Sequence, residues 1–193
     1  MARRKYGDKL QEIEKTAAYL FAQKGYPSTT MREIARDLGM NQASLYYYFK
    51  SKEDILFKLV NDAMDNALER LEAICASLTP PEEKLDEAFH YYTRYYAGDQ
   101  VREVLLLNEM KHLGADYRQG LIEKERRYVH LMRSILMELD AEGRMKDIHP
   151  TVAIFAFFGM VHFTVRWYHK DGPVGLEDLA ATFVEIFTRG VLR

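Results

Sequence analysis

Apolar residues recur at helical spacing along nearly the whole chain. Ile13, Ala17, Leu20 and Phe21 set the period from about Asp8 to Lys24, and Gly25-Tyr26-Pro27 stops it. Thr30-Met31-Arg32-Glu33 then reads as a capping box: the Thr30 hydroxyl accepts the Glu33 N–H, and the Glu33 carboxylate reaches back to the Thr30 N–H. Met31, Ile34, Ala35 and Leu38 give this second helix a buried face, and Gly39 ends it by tolerating a left-handed turn. Asn41 caps a third short helix, with Leu45 and Phe49 four apart on its inner side. Ser51-Lys52-Glu53-Asp54 is a further box, opening a long helix to about Leu78. More helices are expected over 81–97, 100–113, 116–141, 150–169 and 176–191, broken at Pro80-Pro81, Gly98-Asp99, Gly114, Gly143 and Asp171-Gly172-Pro173. No run alternates with the period of two that a half-buried strand requires. The expected fold is all-α, of about nine helices, with a three-helix domain over residues 1–53 and a helical bundle over 54–193.

Charge divides along the same boundary. The whole chain carries a net charge of −2. Residues 1–53 hold ten Lys/Arg against six Asp/Glu, a net +4, and the remainder holds 17 against 23, a net −6. A basic head on an acidic body points to a polyanion for the head, although a short basic segment also suits plain solvation. Lone Cys75 cannot form an internal disulfide and sits among apolar residues, which suits a reducing cytoplasm and a core position. No apolar run follows Arg3-Arg4-Lys5 to make a signal peptide, and the most apolar stretch, Val152 to Val165, is shorter than the ~20 residues of a membrane span. A soluble cytoplasmic protein is expected.

The short helices carry the functional signal. Two brief helices joined by Gly39-Met40-Asn41 have helix-turn-helix geometry, with the second helix offered to a DNA major groove. That helix reads Gln42-Ala43-Ser44-Leu45-Tyr46-Tyr47-Tyr48-Phe49. Gln42 suits adenine, Ala43 a thymine methyl, and Ser44 either a donor or an acceptor. The hydroxyls of Tyr46 and Tyr47 suit phosphates, and Tyr47 should be exposed because a short helix cannot bury every face. Lys52 stands at a helix start, where a cation and free N–H groups meet a phosphate together. Thr30 serves as a cap or as both cap and DNA contact. Arg3, Arg4 and Lys5 form either a DNA-reaching arm or a solvated terminus.

Thr30-Met31-Arg32-Glu33-Ile34-Ala35, Gly39-Met40, Leu45-Tyr46-Tyr47-Tyr48-Phe49 and Ser51-Lys52-Glu53 together resemble the TetR family of bacterial transcriptional repressors. The likeness covers about residues 8–60. Tyr48 departs from the His that the family often has before the Phe. The resemblance implies DNA contact at Thr30, Gln42, Ser44, Tyr46, Tyr47 and Lys52, a palindromic double-stranded operator, and a homodimer built on the last two helices. The helix expected over 150–169 is apolar almost all round, and 176–191 carries Leu179, Phe183, Ile186, Phe187 and Val191, so a second chain is a natural cover.

The body carries a candidate effector site. Phe89, Tyr92 and Tyr96 fall on one helical face; Asn108, Glu109 and His112 stand near Leu105-Leu106-Leu107; His162 and Arg166 are four apart beside Phe158 and Trp167. Apolar walls with a few convergent polar groups make a small-molecule pocket. Phe163 to Tyr168, Asp171-Gly172 and the final helix are similar to the FadR-like subgroup of the family, whose ligands are acyl-coenzyme A thioesters. That resemblance implies that the rings take the acyl chain, while Arg166, with His162 or Arg118, faces the anionic part. The alternative is a drug sensor repressing an efflux pump, to which a buried Glu109 would offer a carboxylate for cations. No catalytic motif, metal-ligand spacing or phosphate loop is present in the sequence, so neither an enzyme nor a cofactor is expected.

Overall fold

The computed structural model describes residues 2–193, and for residues 2–5, 100 and 103 the backbone alone. Its elements are α1 (Ala2–Lys24), α2 (Met31–Asp37), α3 (Gln42–Tyr48), α4 (Lys52–Ala76), α5 (Pro81–Ala97), α6 (Gln100–Val104), α7 (Ala115–Ala141), α8 (Pro150–His162) and α9 (Leu176–Val191). The protein is all-α, as expected. Among the described residues the β-type pairing amounts to one isolated antiparallel bridge, Met145 with Leu192.

Three expected helices are corrected. α1 begins at Ala2, ahead of the apolar period that announced it. The helix expected over 100–113 is regular only as far as Val104; it widens into a π-helical turn at Leu105–Glu109 and tightens into a 3-10 turn at Met110–His112. The helix expected over 150–169 ends at His162 and continues as a 3-10 turn, Phe163–Arg166. An apolar pattern does not distinguish these geometries, because each keeps neighbouring side chains on nearly the same face for a turn.

The chain forms two compact units. One runs up to Ala63 and includes Val104–Leu121; the other comprises Met64–Glu103 and Ile122–Arg193. The units divide inside α4, at the end of α6 and inside α7.

In the first unit, α1 packs on α2 and α2 on α3. Its buried apolar residues include Ile13, Ala17 and Phe21 of α1, Met31 and Ile34 of α2, Leu45 of α3, and Ile55, Leu56 and Val60 of α4. The α2–α3 turn is closed by two hydrogen bonds: Met40 N–H donates to Ala35 C=O at 3.0 Å and Gly39 N–H to Arg36 C=O at 3.0 Å. Gly39 has φ +62°, which only glycine adopts without strain.

In the second unit, α5 packs against α8 and α9, and α8 against α9. One core joins Leu71 and Ile74 of α4, Phe89 of α5, Met132 and Leu136 of α7, Phe157 of α8 and Phe187 of α9. Gly98 ends α5 so close to α9 that an added Cβ would lie 2.9 Å from Leu176 Cδ2. The last residues are tied back: Lys146 N–H donates to Val191 C=O at 2.8 Å, and Arg193 N–H to Arg144 C=O at 2.9 Å.

Candidate nucleic-acid interface and effector site

The exposed short helix α3 is held from one side. Leu45 is fully buried and Phe49 nearly so, while Asn41 caps the start, its Oδ1 accepting the Ser44 N–H at 2.7 Å. The remaining positions, Gln42, Ala43, Ser44, Tyr46 and Tyr47, are exposed, Tyr47 by 75%. An aromatic ring exposed to that degree leaves most of its surface available to a partner. Thr30 forms the expected capping box: its hydroxyl accepts the Glu33 N–H at 3.2 Å, and Glu33 Oε2 accepts the Thr30 N–H at 3.0 Å. These bonds hold the Glu33 carboxyl below the usual carboxylate range.

Two features here escaped the sequence. Tyr6 of α1 stacks on Tyr48 with centroids 4.9 Å apart and meets Tyr47 edge-on at 6.1 Å, so the tyrosines of α3 are braced by a ring 41 residues earlier in Tyr47's case. No local pattern marks Tyr6. Lys52 also does more than stand at a helix start. Its ammonium donates to Tyr26 C=O at 2.6 Å and Thr29 C=O at 2.8 Å, and lies 4.1 Å from the Tyr26 ring centroid. It therefore pins the α1–α2 loop, and burial lowers its pKa. The side chains of Arg3, Arg4 and Lys5 lie outside the described residues.

The same unit contains Asn108, Glu109, His112 and Arg118, four of the expected effector contacts. Glu109 is buried and accepts the Tyr26 N–H at 3.2 Å; His112 stacks on the Tyr26 ring at 5.7 Å. Asn108 and Arg118 are exposed. Nearby, Gly114 N–H donates to Glu53 at 2.6 Å, Tyr117 donates its hydroxyl to Asp54, and Tyr117 stacks on Phe57 at 4.4 Å. Residues 105–117 thus grip the α1–α2 loop and the start of α4.

The second unit gathers the remaining candidates. Tyr92 of α5 is buried, stacks on Phe158 at 4.7 Å and lies 2.5 Å, hydroxyl to Nε2, from His162. Tyr96 packs beside Tyr92 at 4.4 Å and His162 at 5.2 Å. Burial pushes the His162 pKa from 6.5 down to about 4 and the Tyr96 phenol up to about 12. At neutral pH the cluster is therefore uncharged, with the Tyr92 hydroxyl hydrogen-bonded to a neutral imidazole. Phe89 is a packed core residue, 3.8 Å from Phe157 and 4.5 Å from Phe187, rather than a pocket wall.

Arg166 does not share the His162 face. Four residues through a 3-10 turn rotate by about 120°, against about 40° in an α-helix, so Arg166 emerges exposed. Trp167 is 46% exposed beside a shallow apolar groove formed with Gly159, Met160, Phe163 and Phe183. Tyr128 of α7, which the sequence reading passed over, lies 5.6 Å from Tyr92 and 6.3 Å from Phe158. Among the described residues no His/Cys/Asp/Glu group could hold a metal ion, and no helix is long and apolar enough to cross a membrane.

Comparison with known proteins extends the resemblance over most of the chain. Residues 13–59 match the description "Bacterial regulatory proteins, tetR family", and residues 78–191 match "Tetracyclin repressor-like, C-terminal domain". The fatty acid metabolism regulator protein of Bacillus subtilis is 27% identical over 185 residues, covering 95% of each chain. The transcriptional repressor KstR2 of Mycolicibacterium smegmatis is 29% identical over 184 residues, 93% of this chain and 89% of that one. The crystal structure of AibR in complex with isovaleryl coenzyme A and operator DNA superposes with a TM-score of 0.82 at 28% identity, covering 92% of this chain and 96% of that chain. Helix-turn-helix, helical body and matched family domains agree: the chain belongs to the TetR family of bacterial transcriptional regulators.

Proposed function

We propose that the protein is a cytoplasmic repressor that binds a palindromic operator as a homodimer and is released from it by an acyl-coenzyme A thioester. The observation that carries the reading is α3, anchored inward by Leu45 and Phe49 and presenting Gln42, Ala43, Ser44, Tyr46 and Tyr47 outward. Thr30 adds a contact at the α2 start, and Lys52 contributes charge while fixing the loop that positions α2. One such helix reads few base pairs, so two copies spaced one DNA turn apart, about 34–36 Å, supply the specificity.

The effector reading rests on the uncharged aromatic cluster of Tyr92, Tyr96, Phe158 and His162, with Arg166 and Trp167 exposed beyond the end of α8. An acyl chain suits the rings, and a cation outside suits the anionic nucleotide. It is supported by relatives whose names concern fatty acid metabolism and an isovaleryl-coenzyme A complex. The efflux-pump alternative rests on Glu109, one carboxylate oxygen of which accepts the Tyr26 N–H. Release requires the effector to favour a conformer whose two reading helices are wrongly spaced. The segment Val104–Leu121 is suited to this role, since it grips the Tyr26 loop and is covalently joined to the second unit at both ends.

The test uses operator DNA selected from random sequence. Tyr47→Ala is expected to weaken binding at least tenfold with an unchanged melting temperature, and short- to long-chain acyl-coenzyme A thioesters are expected to dissociate the wild-type complex. Undiminished binding by Tyr47→Ala would remove the reading helix, and no response to any thioester would remove the effector class.

A further inference from the structure

We infer that the Tyr128 hydroxyl is the donor that receives the thioester carbonyl oxygen of the effector, an inference that rests on the acyl-coenzyme A reading above. Tyr128 is 9% exposed, and its hydroxyl has no hydrogen-bond partner among the described residues. A buried hydroxyl left unpaired costs about 1–3 kcal/mol, whereas phenylalanine would fill the same space without that cost. The neighbouring donor is already committed, because Tyr92 bonds His162. Tyr128 is therefore the polar group in the ring cluster whose capacity is left for something that arrives.

The surroundings define that acceptor. Burial keeps the Tyr128 phenol protonated. His162 is held neutral on the far side of Tyr92 and Phe158. A carboxylate or phosphate oxygen placed among these rings would be a buried charge, which is costly to desolvate. A neutral oxygen acceptor meets no such cost. An acyl-coenzyme A has one neutral carbonyl at the junction of its apolar chain and its anionic remainder, and that junction fits a donor lying among rings. Tyr96 and His162 are half-buried, whereas Tyr128 is buried.

The experiment is a four-way cycle. Calorimetry on the full-length protein compares wild type and Tyr128→Phe, each with the tightest-binding acyl-coenzyme A and with its S-alkyl thioether, which carries a methylene in place of the carbonyl. Tyr128→Phe is expected to weaken the thioester about tenfold and to leave the thioether unchanged, because either change alone removes the same bond. Equal loss with both ligands, or none with either, overturns the inference while sparing the effector class. Failure of every thioester to bind wild type overturns both. A second readout needs no ligand: removing an unpaired hydroxyl should leave the melting temperature equal or higher. A clear fall would show that the hydroxyl already has a partner, which also overturns the inference.

Discussion

His162 shows how burial sets chemistry at a single residue. Its ring is neutral because desolvation disfavours the imidazolium, taking the pKa from 6.5 to about 4. The unfolded chain takes up this proton near pH 6.5 and the folded chain only near pH 4. Between those values the unfolded state binds more protons, so stability falls as pH falls through the window, by on the order of 3 kcal/mol in all. Above pH 6.5 the contribution is complete and flat. Melting curves from pH 7.5 to 4.5 should therefore diverge between wild type and His162→Gln, with the variant less sensitive; parallel profiles would show that the imidazole is not kept neutral. The sequence marked His162 by its apolar setting, but its partner Tyr92, 70 residues away, is supplied by packing.

The segment between α6 and α7 is informative as an element. Its apolar run through Leu105, Leu106 and Leu107 reads as ordinary helix, and only the backbone shows the wide turn followed by the tight one. These turns place Glu109 under the Tyr26 N–H and His112 against the Tyr26 ring, 83 and 86 residues from that tyrosine. The polar residues that looked like effector contacts are thereby committed to the loop preceding α2. Glu109→Ala should leave the Tyr26 N–H unpaired, costing about 1–3 kcal/mol and loosening operator binding. Glu109→Gln keeps a carbonyl acceptor and should largely preserve both. A melt and an anisotropy titration of the two variants check this; equal losses would show that charge, not the hydrogen bond, is what matters. The Thr30–Glu33 capping box was legible because its partners stand three residues apart. The end of α8 was not, because Phe163 and Val165 continue the apolar pattern past His162.

On the scale of the whole molecule, several large apolar side chains on and near the last two helices are exposed. Val152 and Phe155 of α8, Phe163 and Trp167 beyond it, and Ile186 of α9 are 46–64% exposed. Such a patch on the last two helices is what a second copy would cover under the proposed dimer. Phe155→Glu, combined with Ile186→Glu, should shift sedimentation toward the monomer at micromolar concentration and reduce operator affinity, leaving helical content intact. A variant that stays dimeric would move the interface elsewhere. The same scale explains the near-neutral total charge: a +4 segment carries the reading helix, and a −6 remainder carries the body.

Sequence alone determined the helical class, the order of the helices, the helix-turn-helix and the family, because caps, turns and the 3.6-residue period depend on residues within a few positions of one another. The tertiary structure decided which polar groups are already occupied. Lys52 and Glu109 serve the Tyr26 loop, Arg166 turns outward, and Tyr128 keeps an unpaired hydroxyl. Those assignments depend on partners tens of residues away, or on the lack of one, and a hydrogen bond between distant residues leaves no period in the chain to read.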